Sequence, residues 1–162
     1  NSMHMARRHA HGDLLEDTLA VEVMQMNARH PAGFVVRLHV LGDFYSVGYV
    51  GLWRKLLARF SGLRVWGYTA YDPDASDLEE ARIGTAIADL RCDYPDRFRI
   101  RLSGVETRVA DARDDVREGE LLCPAEISDK ATCSSCTWCW ERKEPVVFIR
   151  HGLAPAEPEP VQ

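Results

Sequence analysis

A chain of 162 residues with 46% hydrophobic content is long enough for a buried core and too apolar to be disordered throughout. Its 25 Asp and Glu against 20 Lys and Arg, a net charge of −5, exclude a protein that is basic all over, so any nucleic-acid contact has to rest on a local patch. No apolar run approaches the roughly eighteen residues of a spanning helix, and nothing resembles a signal peptide; the expectation is a cytoplasmic protein with no membrane segment.

In chain order, Asn1 to His4 read as an expression remnant ahead of Met5. Leu15, Leu19, Val23 and Met26 recur at helical spacing between Asp13 and Arg29, and His30-Pro31-Ala32-Gly33 ends the pattern. Phe34 to Val40 is rich in β-branched residues and predicts a strand. Ser46 is placed to cap a second helix whose apolar face is Val50, Trp53, Leu57 and Phe60, closed by Ser61-Gly62; Leu63 to Thr69 then predicts a second strand. Strand, helix and strand with short joins make a βαβ unit, which requires parallel strands.

Ser76 and Glu79 form a capping-box signature before a third helix facing inward through Ile83, Ile87 and Leu90, with Gly84 as a weak point. Arg97 to Leu102 alternates strictly, predicting an edge strand with a wet, basic face of Arg97, Arg99 and Arg101. Those three arginines, with Arg7, Arg8, His9 and His11 at the N-terminus, are the candidate nucleic-acid contacts. Glu106 to Glu120 carries mixed charge and little apolar content and reads as an exposed loop; Pro145 to Ile149 reads as a final strand. The Pro/Glu-rich residues 153–162 read as a flexible tail.

Ligands of parallel α/β sheets bind beyond the carboxyl ends of the strands. Here those ends are polar: Gly42-Asp43-Phe44-Tyr45-Ser46, Thr69-Ala70-Tyr71-Asp72, Ser103-Gly104 and Arg150-His151-Gly152. His39 shares side-chain parity with Arg37 and Asp43 if the strand stays extended. Asp43, His39 and Ser46 are therefore candidate catalytic or ligand-binding residues, with His151 a weaker one; against this, Asp and Ser before a helix are commonly caps.

Residues 121–142 carry the chain's most demanding pattern. Cys123, Cys133, Cys136 and Cys139 have the spacing C-x9-C-x2-C-x2-C, with Cys123 followed by Pro124. Three cysteines from one short run suit a cubane iron–sulfur cluster, [4Fe–4S], with the Cys-Pro thiolate as fourth ligand; they crowd a zinc tetrahedron closing at about 2.3 Å. Zinc remains the alternative metal. Trp138 and Trp140 bracket Cys139 and would shield a cluster from water, and Cys92 stands apart as an expected buried or half-buried thiol.

Arg37-Leu38-His39-Val40-Leu41-Gly42-Asp43-Phe44-Tyr45-Ser46, Gly67-Tyr68-Thr69, Cys123-Pro124-Ala125-Glu126 and Cys133, Cys136 and Cys139-Trp140, in that order, resemble the gene product 88 family of phage and plasmid proteins. The likeness runs from about Val35 to His151 and implies a site that joins polar strand ends to a cysteine cluster; it brings no reaction with it. The sequence departs from the family in two places, having no cysteine-bearing segment before the first helix and placing Ala70-Tyr71-Asp72 where a Thr-Arg-Ser-like end is usual.

The expectation is a single α/β domain over residues 5–152, a small, mostly parallel sheet of partial-barrel or doubly wound type with a C-terminal cysteine loop. Its expected role is as an iron–sulfur protein of mobile-element type, the cluster structural or electron-transferring, with a pocket for a small polar or nucleotide-like ligand. The alternative is a zinc-stabilised module that binds nucleic acid or protein without catalysis.

Overall fold

The structure, a computed structural model, describes residues 11–39, 42–128 and 130–150. Where the sequence reads as one domain, the chain divides into two compact units, Asn1–Ser103 and Gly104–Gln162, each with a three-stranded parallel sheet.

In the first unit α1 spans Asp13–Arg29, as its periodicity predicts, with Asp13 and Glu16 in its first turn and Arg29 in its last, matching the helix dipole. Strand β1 is Phe34–Arg37, shorter than the expected run to Val40. His39 turns at φ +49°, which leaves extended geometry and cancels the parity it was expected to share with Arg37 and Asp43. Helix α2, Val47–Arg59, is capped as expected by Ser46, whose Oγ accepts from the Tyr49 N–H at 3.0 Å. Strand β2 is Leu63–Thr69. Helix α3, Leu78–Asp93, is capped by Asp77 and not by Ser76. The Asp77 carboxylate accepts from the N–H groups of Glu79 and Glu80 at 3.0 and 2.9 Å, two charge-assisted bonds to the helix's orphan amides. Strand β3 is Phe98–Leu102.

The strand order β1-β2-β3 has no reversal, and both pairings are parallel, with Val36 opposite Val65 and Gly67 opposite Ile100. Helices α2 and α3 pack against each other and α1 against α2. The sheet face toward them presents Leu63, Val65, Phe98 and Ile100, which join Trp53, Leu57, Leu90 and Phe44 in one buried core. β3 lies at the sheet edge, as expected, but its arginines do not form one wet row. Arg101 is buried, and Arg97 precedes the strand, donating to the carbonyl oxygens of Leu57, Phe60 and Ser61 at 3.0, 3.1 and 3.3 Å. It thus satisfies the open C-terminal carbonyls of α2. Cys92, expected to be at least half-buried, is exposed near the end of α3.

The second unit corrects the expectation of an exposed loop from Glu106 to Glu120. Strand β4, Thr107–Ala110, lies within it, and β5 follows at Leu121–Leu122. Both pair in parallel with β6, Val146–Ile149, which is the central strand. Thr107 and Ala110 are buried although their neighbours in sequence are charged, because the partner strand comes from more than thirty residues further on. Arg108 grips Glu120 with two bonds, Nε to Oε1 at 2.6 Å and Nη2 to Oε2 at 2.5 Å, tying β4 to the approach of β5. That bond, helped by the Arg117 N–H, holds the Glu120 carboxyl down at about 2, so its contribution is present above the ordinary carboxylate range and is lost as pH falls toward that value.

Gly84 is the weak point of α3 by propensity, yet the fold needs it. A Cβ there would sit 2.6 Å from the Asp72 carbonyl carbon and the Pro73 nitrogen, both backbone atoms. Gly84→Ala, favourable by about 1 kcal/mol in an open helix, is expected instead to destabilise by about 1–3 kcal/mol through forced displacement of that loop. Urea denaturation checks this; a neutral or stabilising result contradicts the close approach.

Candidate functional site

Two groups of chemically capable residues occur, one in each unit. In the first unit they gather where β1 ends. Asp43 uses both carboxylate oxygens on backbone: Oδ1 accepts from the Phe44 N–H at 2.7 Å and Oδ2 from the Ala70 N–H at 2.6 Å. The second bond joins the loop after β1 to the residue after β2. Asp43 therefore acts here as a strap between two strand ends, and Ser46 as the cap of α2.

His39 has the opposite character. Among the described residues neither ring nitrogen finds a hydrogen-bond partner, although both are buried. The ring meets Phe44 edge-on at 4.5 Å and tilts against Tyr49 at 5.7 Å. Burial among these rings lowers its pKa to about 4, opposed by the Asp43 charge and assisted by His11. A neutral imidazole of such low basicity is a poor general base, but it offers one N–H donor and one acceptor to a polar ligand without desolvating a charge. Unpaired buried nitrogens on a residue with left-handed backbone are the combination that functional sites retain and ordinary cores avoid.

Around His39 stands an aromatic stack not singled out in the sequence. His11 lies face to face on Tyr45 at 4.3 Å and 7°, and Tyr45 on Tyr49 at 4.6 Å and 23°. The Tyr45 hydroxyl donates to Glu16 Oε1 at 2.8 Å; burial and then this carboxylate push the phenol up to about 12. The i, i+4 spacing of Tyr45 and Tyr49 was available as a signal, whereas the partners on and before α1 come from a distant segment.

In the second unit Cys123 follows β5 directly, its N–H donating to the Val147 carbonyl at 2.9 Å. Pro124–Glu126 then makes one tight turn. Cys133–Cys136 and Trp138–Glu141 form single helical turns, α4 and α5, joined by Thr137 at φ +55°. A β-branched residue is a poor occupant of that region, so the reversal between Cys136 and Cys139 is held against local preference. None of the four cysteines is in a disulfide: Cys123 is buried, Cys136 and Cys139 half-buried, and Cys133 exposed. Burial raises the Cys123 pKa, the Ala125 N–H works against that, and the charges of Cys139, Glu126 and Cys136 add to the rise. Trp138 and Trp140 are half-buried, with the Arg142 guanidinium 5.8 Å from the Trp138 ring.

As a donor set, four unbridged thiols supplied by residues 123–139 suit a soft metal or an iron–sulfur cluster. Among the described residues no three His, Cys, Asp or Glu side chains already stand in metal-holding positions. Arg7, Arg8, His9 and His151 lie outside the described residues.

His39 makes stability depend on pH in a defined direction. Its folded pKa lies below its unfolded one, so as pH falls the unfolded chain takes the proton first. Its stabilising share is whole above 6.5 and disappears as pH falls from there to about 4, on the order of 3 kcal/mol at the lower end. His39→Asn keeps a residue that tolerates left-handed backbone and should flatten the fall in denaturation midpoint across that window; an unchanged slope contradicts the placement.

No curated protein and no solved structure matches the chain. Among the described residues no helix is long and apolar enough to cross a membrane. A family model described as Gene product 88 matches residues 1–142, which takes in the polar end of β1, the whole parallel sheet of the first unit and all four cysteines of the C-terminal loop. On that extent of match the chain belongs to the Gene product 88 family.

Proposed function

We propose that Cys123, Cys133, Cys136 and Cys139 take up one iron–sulfur cluster of the [4Fe–4S] type. The observation that carries this reading is that four cysteines outside any disulfide lie within seventeen residues, with Cys123 fixed to β6 through its backbone and the other three on the two short helical turns that follow. Cys133 stands one helical turn before Cys136 on α4, so taking it up as the fourth ligand requires rearrangement of a loop only two turns long. When bound, the cluster supplies either a structural staple or a one-electron carrier; four thiolates leave no iron position open for substrate. What the chain itself supplies is a rigid anchor at Cys123, a strained reversal at Thr137 and two indoles that restrict water.

In the first unit the same reading gives His39 the recognition of a small polar or nucleotide-like ligand, with Asp43 and Ser46 shaping the loop around it. The support is the pair of buried ring nitrogens with no hydrogen-bond partner among the described residues.

Anaerobic reconstitution with iron and sulfide should give a brown protein carrying about four of each per chain. Cys136→Ala should lose most of the colour and unfold more easily, because metal binding and loop folding are coupled. Cys92→Ala should leave both unchanged. A colourless protein holding one zinc ion would replace the cluster by a zinc site, and colour that survives Cys136→Ala would reject the ligand assignment.

A further inference from the structure

The sheet of the first unit has a second face, and its composition is unlike the rest of the chain. Side chains alternate along each strand, and the register sets Val35 beside Arg64, Arg37 beside Trp66, Trp66 beside Arg99 and Tyr68 beside Arg101. The face turned away from the helices therefore carries four arginines, of which Arg101 is buried, a tryptophan, a tyrosine and a valine. None of the three strands contains an acidic residue, in a chain where Asp and Glu outnumber Lys and Arg by 25 to 20.

We infer that this face binds single-stranded nucleic acid, with Arg37, Arg64 and Arg99 meeting the phosphates and Tyr68 and the cation–π pair of Arg37 and Trp66 meeting the bases. Arg37 and Arg64 are exposed, and Arg99 and Tyr68 half-buried. The Trp66 ring is only 7% exposed, so it is not itself an open platform. Instead the Arg37 guanidinium lies over it at 4.9 Å, and Tyr68 meets its edge at 5.9 Å. This cation–π contact keeps the guanidinium over the ring, where it can meet a base or a phosphate.

Charge complementarity selects a polyanion, and flat π-surfaces interleaved with the charges select one whose bases are unpaired. A duplex keeps its bases stacked on each other and uses only the charge. Arg97, included with Arg99 and Arg101 on sequence grounds, drops out because its guanidinium is engaged by the carbonyls at the end of α2. Arg64 and Arg37, from the other two strands, are included because they are exposed and lie on this face by register.

Fluorescence anisotropy of the full chain with labelled oligonucleotides of about twelve nucleotides, as DNA and as RNA, tests this. Binding is expected to weaken with salt along a log–log slope near −2, from three phosphate contacts at about −0.7 each. Arg37→Ala and Arg64→Ala should each weaken binding about five- to tenfold and make the slope shallower by about 0.7. Tyr68→Leu should weaken binding about tenfold at every salt concentration with the slope unchanged. Arg82→Ala, an exposed arginine on α3, should change nothing. Equal affinity for DNA and RNA, or a preference for either, supports the proposal. Absence of binding at low salt, tighter binding to a duplex or to anionic vesicles than to single strands, or wild-type affinity in the exposed Arg64→Ala variant overturns it. Metal content is read separately, so loss of the cluster assignment leaves this result standing.

Discussion

The constraint from which the first unit follows is the two-sidedness of its three parallel strands. Strands in this order need a helix for each return, and the helices cover one face: Leu63, Val65, Phe98 and Ile100 are sealed there with Trp53 and Leu57. At about 25 cal/mol per Å² of apolar surface removed from water, side chains of this size contribute about 1.5–3 kcal/mol each. The same period of two then dictates the other face, so that one register choice fixes both the core and the arginine–aromatic surface. A slip by one residue would exchange them.

Much of this was legible in the sequence because it depends on local periodicity. Asp13–Arg29 and Leu63–Thr69 have the bounds their patterns gave, since a 3.6-residue stripe ended by Pro and Gly, and a short β-branched run between Gly62 and a polar end, have few competing readings. Illegible were the features decided by partners far away in sequence. β4 pairs across more than thirty residues, so its four residues among charged neighbours gave no signal of their own. The Asp43 bond to Ala70 and the Tyr45 bond to Glu16 likewise join separate segments. The cysteine spacing was plain at once because one short loop supplies three of the four thiols.

Both candidate sites contain a non-glycine residue with positive φ, His39 in one and Thr137 in the other. Such conformations cost on the order of 1–3 kcal/mol each and persist when surrounding contacts overdetermine them. At His39 those contacts are the aromatic rings of Phe44 and Tyr49; at Thr137 they are the backbone bonds its carbonyl accepts from Trp140 and Glu141 and the bond from its own hydroxyl to Glu141 Oε2. Each of these loops is therefore held in its conformation by contacts of its own unit and not by local preference.

The central place of β6 has a consequence for the order of events during synthesis. β4 and β5 leave the ribosome first and have no strand between them until residues 146–149 follow. Cys133, Cys136 and Cys139 therefore emerge while the hydrogen bond that fixes Cys123 to Val147 does not yet exist. The cysteine loop thus gains its fixed attachment to the sheet only when the last strand has arrived.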